Sequence, residues 1–436
     1  MMAVGFLESL KRFGEKPGLS RIRFLLARMG DPQDAYPAVH VAGTNGKGST
    51  AAMIAAALKA AGLRVGLFTS PHLVRYNERI AVDGEPIGDD ELGPLLEELK
   101  GHAEAAAARP EVGQPTEFEV GTAAALAHFA RRRVDLAVVE VGLGGRLDAT
   151  NVVRPAVTVI TPVGRDHTEV LGEDLASIAE EKAGIIKPQV PVVCGRQRPE
   201  AMPVIQARCA SVGAPLYRFG IDFEARLVSA DRRGTSFDAR WRDRWLLGLS
   251  VPLLGSHQAE NGAVAVAALC RLAEDGWPVT EEAVRAGLAA VRWLGRLEVV
   301  ERRPWVILDG AHNPDGCRAL RQGLEEVFPG VRPVFVIGML RNKPIDDMLG
   351  ELLPMATAAV FTAPASSRTP AADPHELARR ASGLVPLSAV EPQPSAALAK
   401  ARDLAGPEGL VCVCGSLYLV GELRGCMERD LRRLTE

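Results

Sequence analysis

"VHVAGTNGKGSTAAMIAAAL", residues 39–58, is the stretch on which the fold turns. It reads as a short apolar strand, a glycine-rich turn and a helix, the layout that cradles phosphate. The common phosphate-loop spelling, G-x-x-x-x-G-K-[ST], fails in two places. Val41 stands where the first glycine belongs, and Gly48 follows Lys47 where Ser or Thr is expected. Glycines at 43, 46 and 48 still permit a tight turn and bring successive backbone N–H groups near an anion. A helix expected from about Lys47 to Ala61 points its positive end at the same spot, and the Lys47 ammonium can reach terminal phosphates. The plain alternative is a glycine-rich turn with an exposed lysine. Strand before, helix after and a lysine at the helix start favour a nucleotide site over Gly43, Thr44, Asn45, Gly46, Lys47, Gly48 and Ser49. The spelling leaves open which oxygen holds magnesium, since Gly48 has no hydroxyl and Ser49 lies one residue late.

Outward from that loop, short apolar strands alternate with helical patterns, which argues for parallel sheets covered by helices. Strands are expected at Ala38–Ala42, Val65–Thr69, Leu136–Val141, Val157–Thr161 and Val190–Cys194. Residues 215–255 turn polar, aromatic and hairpin-like and predict a small β lobe, closed by a helix over "SHQAENGAVAVAALCRLAEDG" (256–276). A second alternation starts near 303, with strands at Trp305–Leu308, Val334–Gly338, Ala358–Thr362 and Leu410–Cys414. The expected fold class is therefore α/β in two domains. A phosphate-loop ATPase-like parallel sheet with the β lobe spans 1–295, and a Rossmann-like domain spans 296–436. Two such domains facing one another across a hinge would suit a ligand cleft.

The 436 residues are 47% apolar and 24% charged, the profile of a globular chain with large cores. A formal net charge of −3 gives no electrostatic reason to expect nucleic acid or an anionic membrane as partner. Glu8, Lys11 and Arg12 come too early for a secretory apolar core, and no uncharged apolar run approaches the ~20 residues of a membrane span. The seven cysteines are scattered and never spaced C-x-x-C, which predicts free thiols in a reducing cytoplasm. Arginine greatly outnumbers lysine, of which there are nine, so each lysine is worth placing.

Three further stretches bear on chemistry. "EVGLGGRLDATN" (140–151) is not a dinucleotide fingerprint, because Leu147 stands where the third glycine belongs. Its acid, Glu140, falls at the carboxyl end of an apolar strand, where open parallel sheets place their ligand crevice, and is a magnesium candidate. "TPVGRDHTEVLG" (161–172) brings Asp166 and His167 to the same rim, His167 as a metal or phosphate ligand. In "EDLASIAEEKAGIIK" (173–187), Lys182 falls on an apolar helical stripe with Leu175, Ile178 and Ile185 or Ile186. It either snorkels to the surface or is buried with a partner. Burial lowers a lysine pKa, and a neutral amine can take up carbon dioxide to form a carbamate, an anionic oxygen ligand for a second magnesium.

Taken together these motifs resemble the folylpolyglutamate synthase and dihydrofolate synthase family of the ATP-dependent Mur ligase superfamily. "GTNGKGS" (43–49), "SPHL" (70–73), "NERI" (77–80), "EVGLGGRLDATN" and "EKAGIIK" (181–187) carry the first half of the resemblance. "GSHQAEN" (255–261), "GRLE" (295–298), "DGAHNP" (309–314) and "GSLYLVGE" (415–422) carry the second. The resemblance implies a ligase in which ATP phosphorylates a carboxylate of dihydropteroate or a folate, and the amine of L-glutamate displaces phosphate. It implies Ser70, Glu140, His167 and carbamylated Lys182 as ligands of magnesium, with two ions expected. Asn261 would read adenine, with Arg296 and Asp309 among the ATP-binding residues. His72, Asn77, Arg79 and Phe118 would hold the pterin substrate, although core packing accounts equally well for Phe118. His312, Ser416 and Arg368 would serve the incoming glutamate, with His312 beside Lys47 and Lys182 among the catalytic residues. Asn313 capping a helix with Pro314 at its first position is the structural reading of "HNP". The protein is expected to be cytoplasmic and monomeric.

Two other readings remain. A cell-wall Mur ligase would need an extra nucleotide-sugar domain, for which the 42 residues before Gly43 are too few. A nucleotide-binding ATPase regulator would hydrolyse ATP with no small-molecule acceptor.

Overall fold

The structure, a computed structural model, describes residues 2–10, 18–367 and 369–435. Among the described residues the strands form three sheets, and the chain divides into two compact units. The first comprises Met1–Arg226, Asp238–Leu249 and Glu260–Val291; the second comprises Leu227–Phe237, Ser250–Ala259 and Arg292–Glu436.

In the first unit, strands β1 (Ala38–Ala42), β2 (Val65–Phe68), β3 (Ile80–Val82), β4 (Glu85–Pro86), β5 (Leu136–Glu140), β6 (Pro155–Ile160), β7 (Val192–Cys194) and β8 (Leu216–Arg218) build an eight-stranded sheet. Its order is β4-β3-β2-β5-β1-β6-β7-β8. The pairs from β2 through β8 run parallel, and β3 and β4 add an antiparallel edge. Every residue of β1 and β5 is buried, as strands covered on both faces require. Because β1 lies between β5 and β6, the segments leaving their carboxyl ends become neighbours: the glycine loop, the residues after Glu140, and Thr161–His167.

The helix Lys47–Ala60 is buried from Ser49 through Leu58 except at Ala56. Alanine-rich sequence allows this, since a small surface lets a second helix, Glu281–Ala290, come close. A Cβ added at Gly287 would stand 2.3 Å from the Ala57 Cα, so the two backbones touch. The helix Glu117–Arg131 starts with a reciprocal cap: Glu119 N donates to Thr116 Oγ1 (3.2 Å), and Thr116 N donates to Glu119 Oε2 (2.8 Å). This fixes Phe118 in the first turn.

Strands β9 (Phe223–Asp231), β10 (Gly234–Trp241) and β11 (Arg244–Val251) form the small sheet, order β11-β10-β9, with residues divided between the units. In the second unit, β12 (Glu298–Arg302), β13 (Trp305–Leu308), β14 (Val334–Ile337), β15 (Ala358–Phe361), β16 (Ser388–Val390) and β17 (Leu410–Cys414) follow the order β12-β13-β17-β14-β15-β16. All pairs are parallel except β12 with β13. Cys412 and Cys414 lie wholly in its core, and all seven cysteines are free thiols.

Three expectations change. The helix over 173–187 runs only Leu175–Ala183, because Gly184 presses its backbone on Arg146 and Pro188 follows shortly. Lys182 keeps its stripe position; Ile185 and Ile186 leave the helix. The strand expected from Val190 starts at Val192. The start of the β lobe, Leu216–Arg218, pairs with β7 and belongs to the large sheet. Among the described residues no helix is long and apolar enough to cross a membrane.

Candidate functional site

The glycine loop closes onto the segment after β6. Thr44 N donates to Pro162 O (2.9 Å), and Thr44 Oγ1 donates to Gly164 O (3.0 Å). Gly43 and Gly46 have φ of 146° and 83°, in the region that favours glycine. Neither has room for a side chain. A Cβ at Gly43 would strike Thr161 Oγ1 at 1.8 Å, and one at Gly46 would strike Asn261 Oδ1 at 2.4 Å. Asn261, from the helix His257–Glu274, thus packs directly on the loop. Lys47 Nζ donates back to Thr44 O (3.1 Å) and lies 3.9 Å from Glu140 Oε1. Glu140 is buried at the end of β5, and its Oε2 accepts from Ser70 N (3.3 Å). The loop lysine, the strand-end acid and Ser70 therefore share one rim.

Lys182 is buried, and its Nζ donates to Gly43 O (2.8 Å). Burial first and the nearby Lys47 charge second lower its pKa to about 7, against the opposing pull of Asp166 and Asp148. A substantial fraction of this amine is therefore neutral near pH 7, as carbamate formation requires. His167 is half-buried at φ 52°, and its own N–H donates to Asp166 Oδ1 (2.9 Å). Its Nε2 lies 3.9 Å from Asp166 Oδ1.

Among the described residues, no group of three or more His, Cys, Asp or Glu side chains is placed to hold a metal ion. The candidate ligands are two hard oxygen donors, the Glu140 carboxylate and the Ser70 hydroxyl, with the borderline His167 imidazole on the segment after β6. That set fits magnesium, which keeps several waters and shares phosphate oxygens where calcium would take an all-protein cage.

The pterin candidates cluster after β2. Arg79 Nε donates to His72 Nδ1 (2.9 Å), the Arg79 guanidinium sits 4.7 Å from the Tyr76 ring centroid, and Arg79 pairs with Glu117 at 3.6 Å. Asn77 Nδ2 donates to Ile87 O (2.7 Å) and Asp89 Oδ1 (2.8 Å), which holds this turn. Phe118 packs near Phe68 (centroids 5.9 Å) and against Gly142, where an added Cβ would meet its ring at 2.4 Å. It is both a core contact and a wall of the rim beside Glu140.

In the second unit Arg296, Asp309, His312 and Ser416 come together at the carboxyl ends of β13 and β17. Asp309 is buried and accepts from two amides, Leu297 N and Ala311 N, both at 2.8 Å. It thereby supports Leu297 at φ 46° and fixes the turn carrying Arg296. Arg296 Nη1 donates to Gly295 O (2.9 Å), and the guanidinium covers Gly310. His312 Nδ1 pairs with Gly310 O (2.8 Å); donation there makes Nε2 the acceptor nitrogen. Ser416 Oγ accepts from Tyr418 N (3.1 Å). Arg368 lies outside the described residues.

Two groups escaped the sequence reading. Asp148 is buried, and burial raises its pKa; it accepts from Thr150 Oγ1 (2.5 Å) and Leu143 N (2.8 Å), shaping the loop after Glu140. His257 lies within electrostatic reach of Asp309 and Arg296, and enclosure by the protein lowers its pKa. Both sit inside quoted motifs, but only folding shows what surrounds them.

The chain is similar to known proteins over nearly its whole length. Residues 41–269 match the Mur ligase middle domain, and residues 295–417 match the Mur ligase, glutamate ligase domain. A dihydrofolate synthase/folylpolyglutamate synthase of Bacillus subtilis is 40% identical over 418 residues, 95% of each chain. The solved Mycobacterium tuberculosis folylpolyglutamate synthase complexed with ADP superposes with a TM-score of 0.91 at 36% identity, covering 98% of this chain and 97% of that one. A folylpolyglutamate synthase complex with AMPPCP and folate gives a TM-score of 0.85 at 36% identity, covering 98% of both chains.

Proposed function

The chain belongs to the folylpolyglutamate synthase and dihydrofolate synthase family of Mur ligases, and from that premise we propose how its residues carry out the reaction. The enzyme is an ATP-dependent ligase that adds L-glutamate to folates. The terminal phosphoryl group of ATP passes to a carboxylate oxygen of the acceptor, releasing ADP and leaving an acyl phosphate. The glutamate amine then attacks the acyl carbon, a proton leaves the nitrogen, and phosphate departs with the bond to oxygen.

The observation that supports this reading best is the convergence at β1, β5 and β6. Lys47 lies 3.9 Å from Glu140, and Lys182 Nζ rests on Gly43 O at 2.8 Å. The positive start of the helix Lys47–Ala60, just after the loop, would favour an anion, and the Lys47 charge would favour the phosphoryl group in flight. Ser70, Glu140, His167 and Lys182 as its carbamate would hold magnesium, which when bound neutralises phosphate charge and aligns the reacting oxygens. To form that carbamate, the neutral Lys182 amine bonds the carbon of carbon dioxide and gives up one proton.

Asn261, against the loop, is assigned to the adenine. His72, Asn77, Arg79 and Phe118 are assigned to the pterin substrate. In the second unit, Arg296 and Asp309 are assigned to ATP, and His312 and Ser416 to glutamate, with His312 Nε2 suited to take the amine proton. The functional domains run 1–295 and 296–436, and the enzyme works as a cytoplasmic monomer. The assignment is tested by replacing Lys47 with Ala and assaying glutamate transfer from ATP. A loss in kcat of about 10³-fold supports it; turnover within a factor of about two of wild type refutes the loop's role.

A further inference from the structure

Lys182 reaches the loop from a helix that ends one residue later, and a short helix end is a poor anchor on its own. The structure holds that end from outside. Arg146 N, in the glycine-rich segment after Glu140, donates to Glu181 O (2.8 Å). The two backbones meet with no side chain between them. A Cβ at Gly145 would lie 2.7 Å from Glu181 O and 3.1 Å from the Lys182 Cα. From the other side, a Cβ at Gly184 would lie 2.3 Å from the Arg146 Cβ and 2.5 Å from its Cα. Neither glycine has a positive φ, so both are needed for close approach and not for conformation.

Asn151 ties this contact together. Its Nδ2 donates to Arg146 O (2.9 Å) and to Gly184 O (3.2 Å), one carbonyl on each partner. Its Oδ1 and backbone O accept from Lys187 Nζ at 2.7 and 3.0 Å. Asn151 is buried, so its amide donors satisfy carbonyls that water cannot easily reach.

We infer that Gly145, Gly184 and Asn151 form a backbone lock whose task is to position Lys182 against Gly43, so that the segment following Glu140 sets the distance between the two ligand-bearing elements. This rests on the assignment of Lys182 to the magnesium site. Two different anchoring elements, a strand end and a helix end, must present their oxygens at one site, and the lock is a direct connection between them.

The test uses the full chain as Gly145→Ala, Asn151→Ala and Arg146→Ala variants. Arg146→Ala removes only an exposed guanidinium pair with Glu181 and keeps the backbone bond. Lysines are modified briefly with an amine-reactive ester in carbonate-free buffer and read by peptide mass spectrometry, with exposed Lys59 as internal standard. Lys182 should be protected in wild type and Arg146→Ala, and labelled at least tenfold faster in the other two variants. The latter should lose about 10²-fold in kcat, as a displacement of about 1 Å at a reacting centre does, with KM for ATP within about twofold of wild type. Unchanged Lys182 protection in folded Gly145→Ala and Asn151→Ala overturns the inference. Unfolding of both variants also counts against it, since the contacts would then serve the fold as a whole. In parallel, ¹³C NMR after incubation with labelled bicarbonate reads the carbamate. Its absence from wild type would refute the carbamate while leaving the labelling contrast to judge the lock.

Discussion

At the scale of single residues, Lys182 and His40 show two outcomes of burying a base. Lys182 was conspicuous in sequence as a charge on an apolar stripe, and the fold buries it with one carbonyl partner and a pKa lowered to about 7. Lys182→Ala should abolish ligation, by about 10³-fold or more, while the thermal midpoint stays at or above wild type, because a costly buried amine has been removed. Near-normal turnover would exclude the carbamate role. His40, in the middle of β1, is wholly buried. Its Nε2 pairs with Thr150 Oγ1 (2.9 Å), while Nδ1 has no partner. Burial, then the Lys187 charge, lower its pKa to about 3. Between about pH 3 and 6.5 the unfolded chain therefore binds a proton that the folded chain refuses. Stability from this residue is present above pH 6.5 and lost as pH falls, by at most about 1.4 kcal/mol per unit. Urea midpoints measured from pH 7 to pH 4.5 should fall less steeply in His40→Gln than in wild type; parallel slopes would contradict this. Neither His40 nor Asp148 could be singled out from sequence, since a histidine in a strand and an aspartate in a loop become special only through what packs around them.

At the scale of elements, the sequence showed which segments are strands and helices but less about how they end. The 173–187 helix was overextended because its apolar spacing continues past Gly184, and the stop is a backbone contact with a loop distant in sequence. "HNP" was read both ways, and the structure holds the cap: Asn313 Oδ1 accepts from Gly316 N (2.8 Å), with Pro314 opening the helix Pro314–Val327. Asn313→Ala should cost about 1 kcal/mol of stability by denaturant titration. If His312 is held by this turn, kcat should fall with it, whereas a cap that serves the helix alone would leave kcat unchanged. The packing of the loop's helix on Glu281–Ala290 makes a second case. At Gly287 a side chain would meet the Ala57 backbone, which cannot yield as a flexible side chain does. Gly287→Val should lower stability by about 1–3 kcal/mol, and an unchanged midpoint would show that the helices can separate cheaply.

At the scale of the whole molecule, the alternation of strands and helices was enough to announce two α/β sheets, and the ordered motifs were enough to name the chemistry. What alternation could not give was strand order. That β1 lies between β5 and β6 follows from crossover packing, and this order alone makes neighbours of the glycine loop, Glu140 and the segment before His167. The antiparallel edge of β3 and β4, and the transfer of Leu216–Arg218 from the small lobe to the large sheet, were hidden for the same reason. The motifs also leave the acceptor open. We expect both dihydropteroate and reduced folate to be glutamylated, and product from only one would narrow the assignment. The most direct measurement follows phosphate release and incorporation of labelled glutamate together in the purified protein with ATP, magnesium and a folate acid. Equal amounts of phosphate and glutamylated product, with neither formed when folate or glutamate is omitted, is the predicted result. Phosphate release that proceeds unchanged without either acceptor, and yields no glutamylated product, would contradict it.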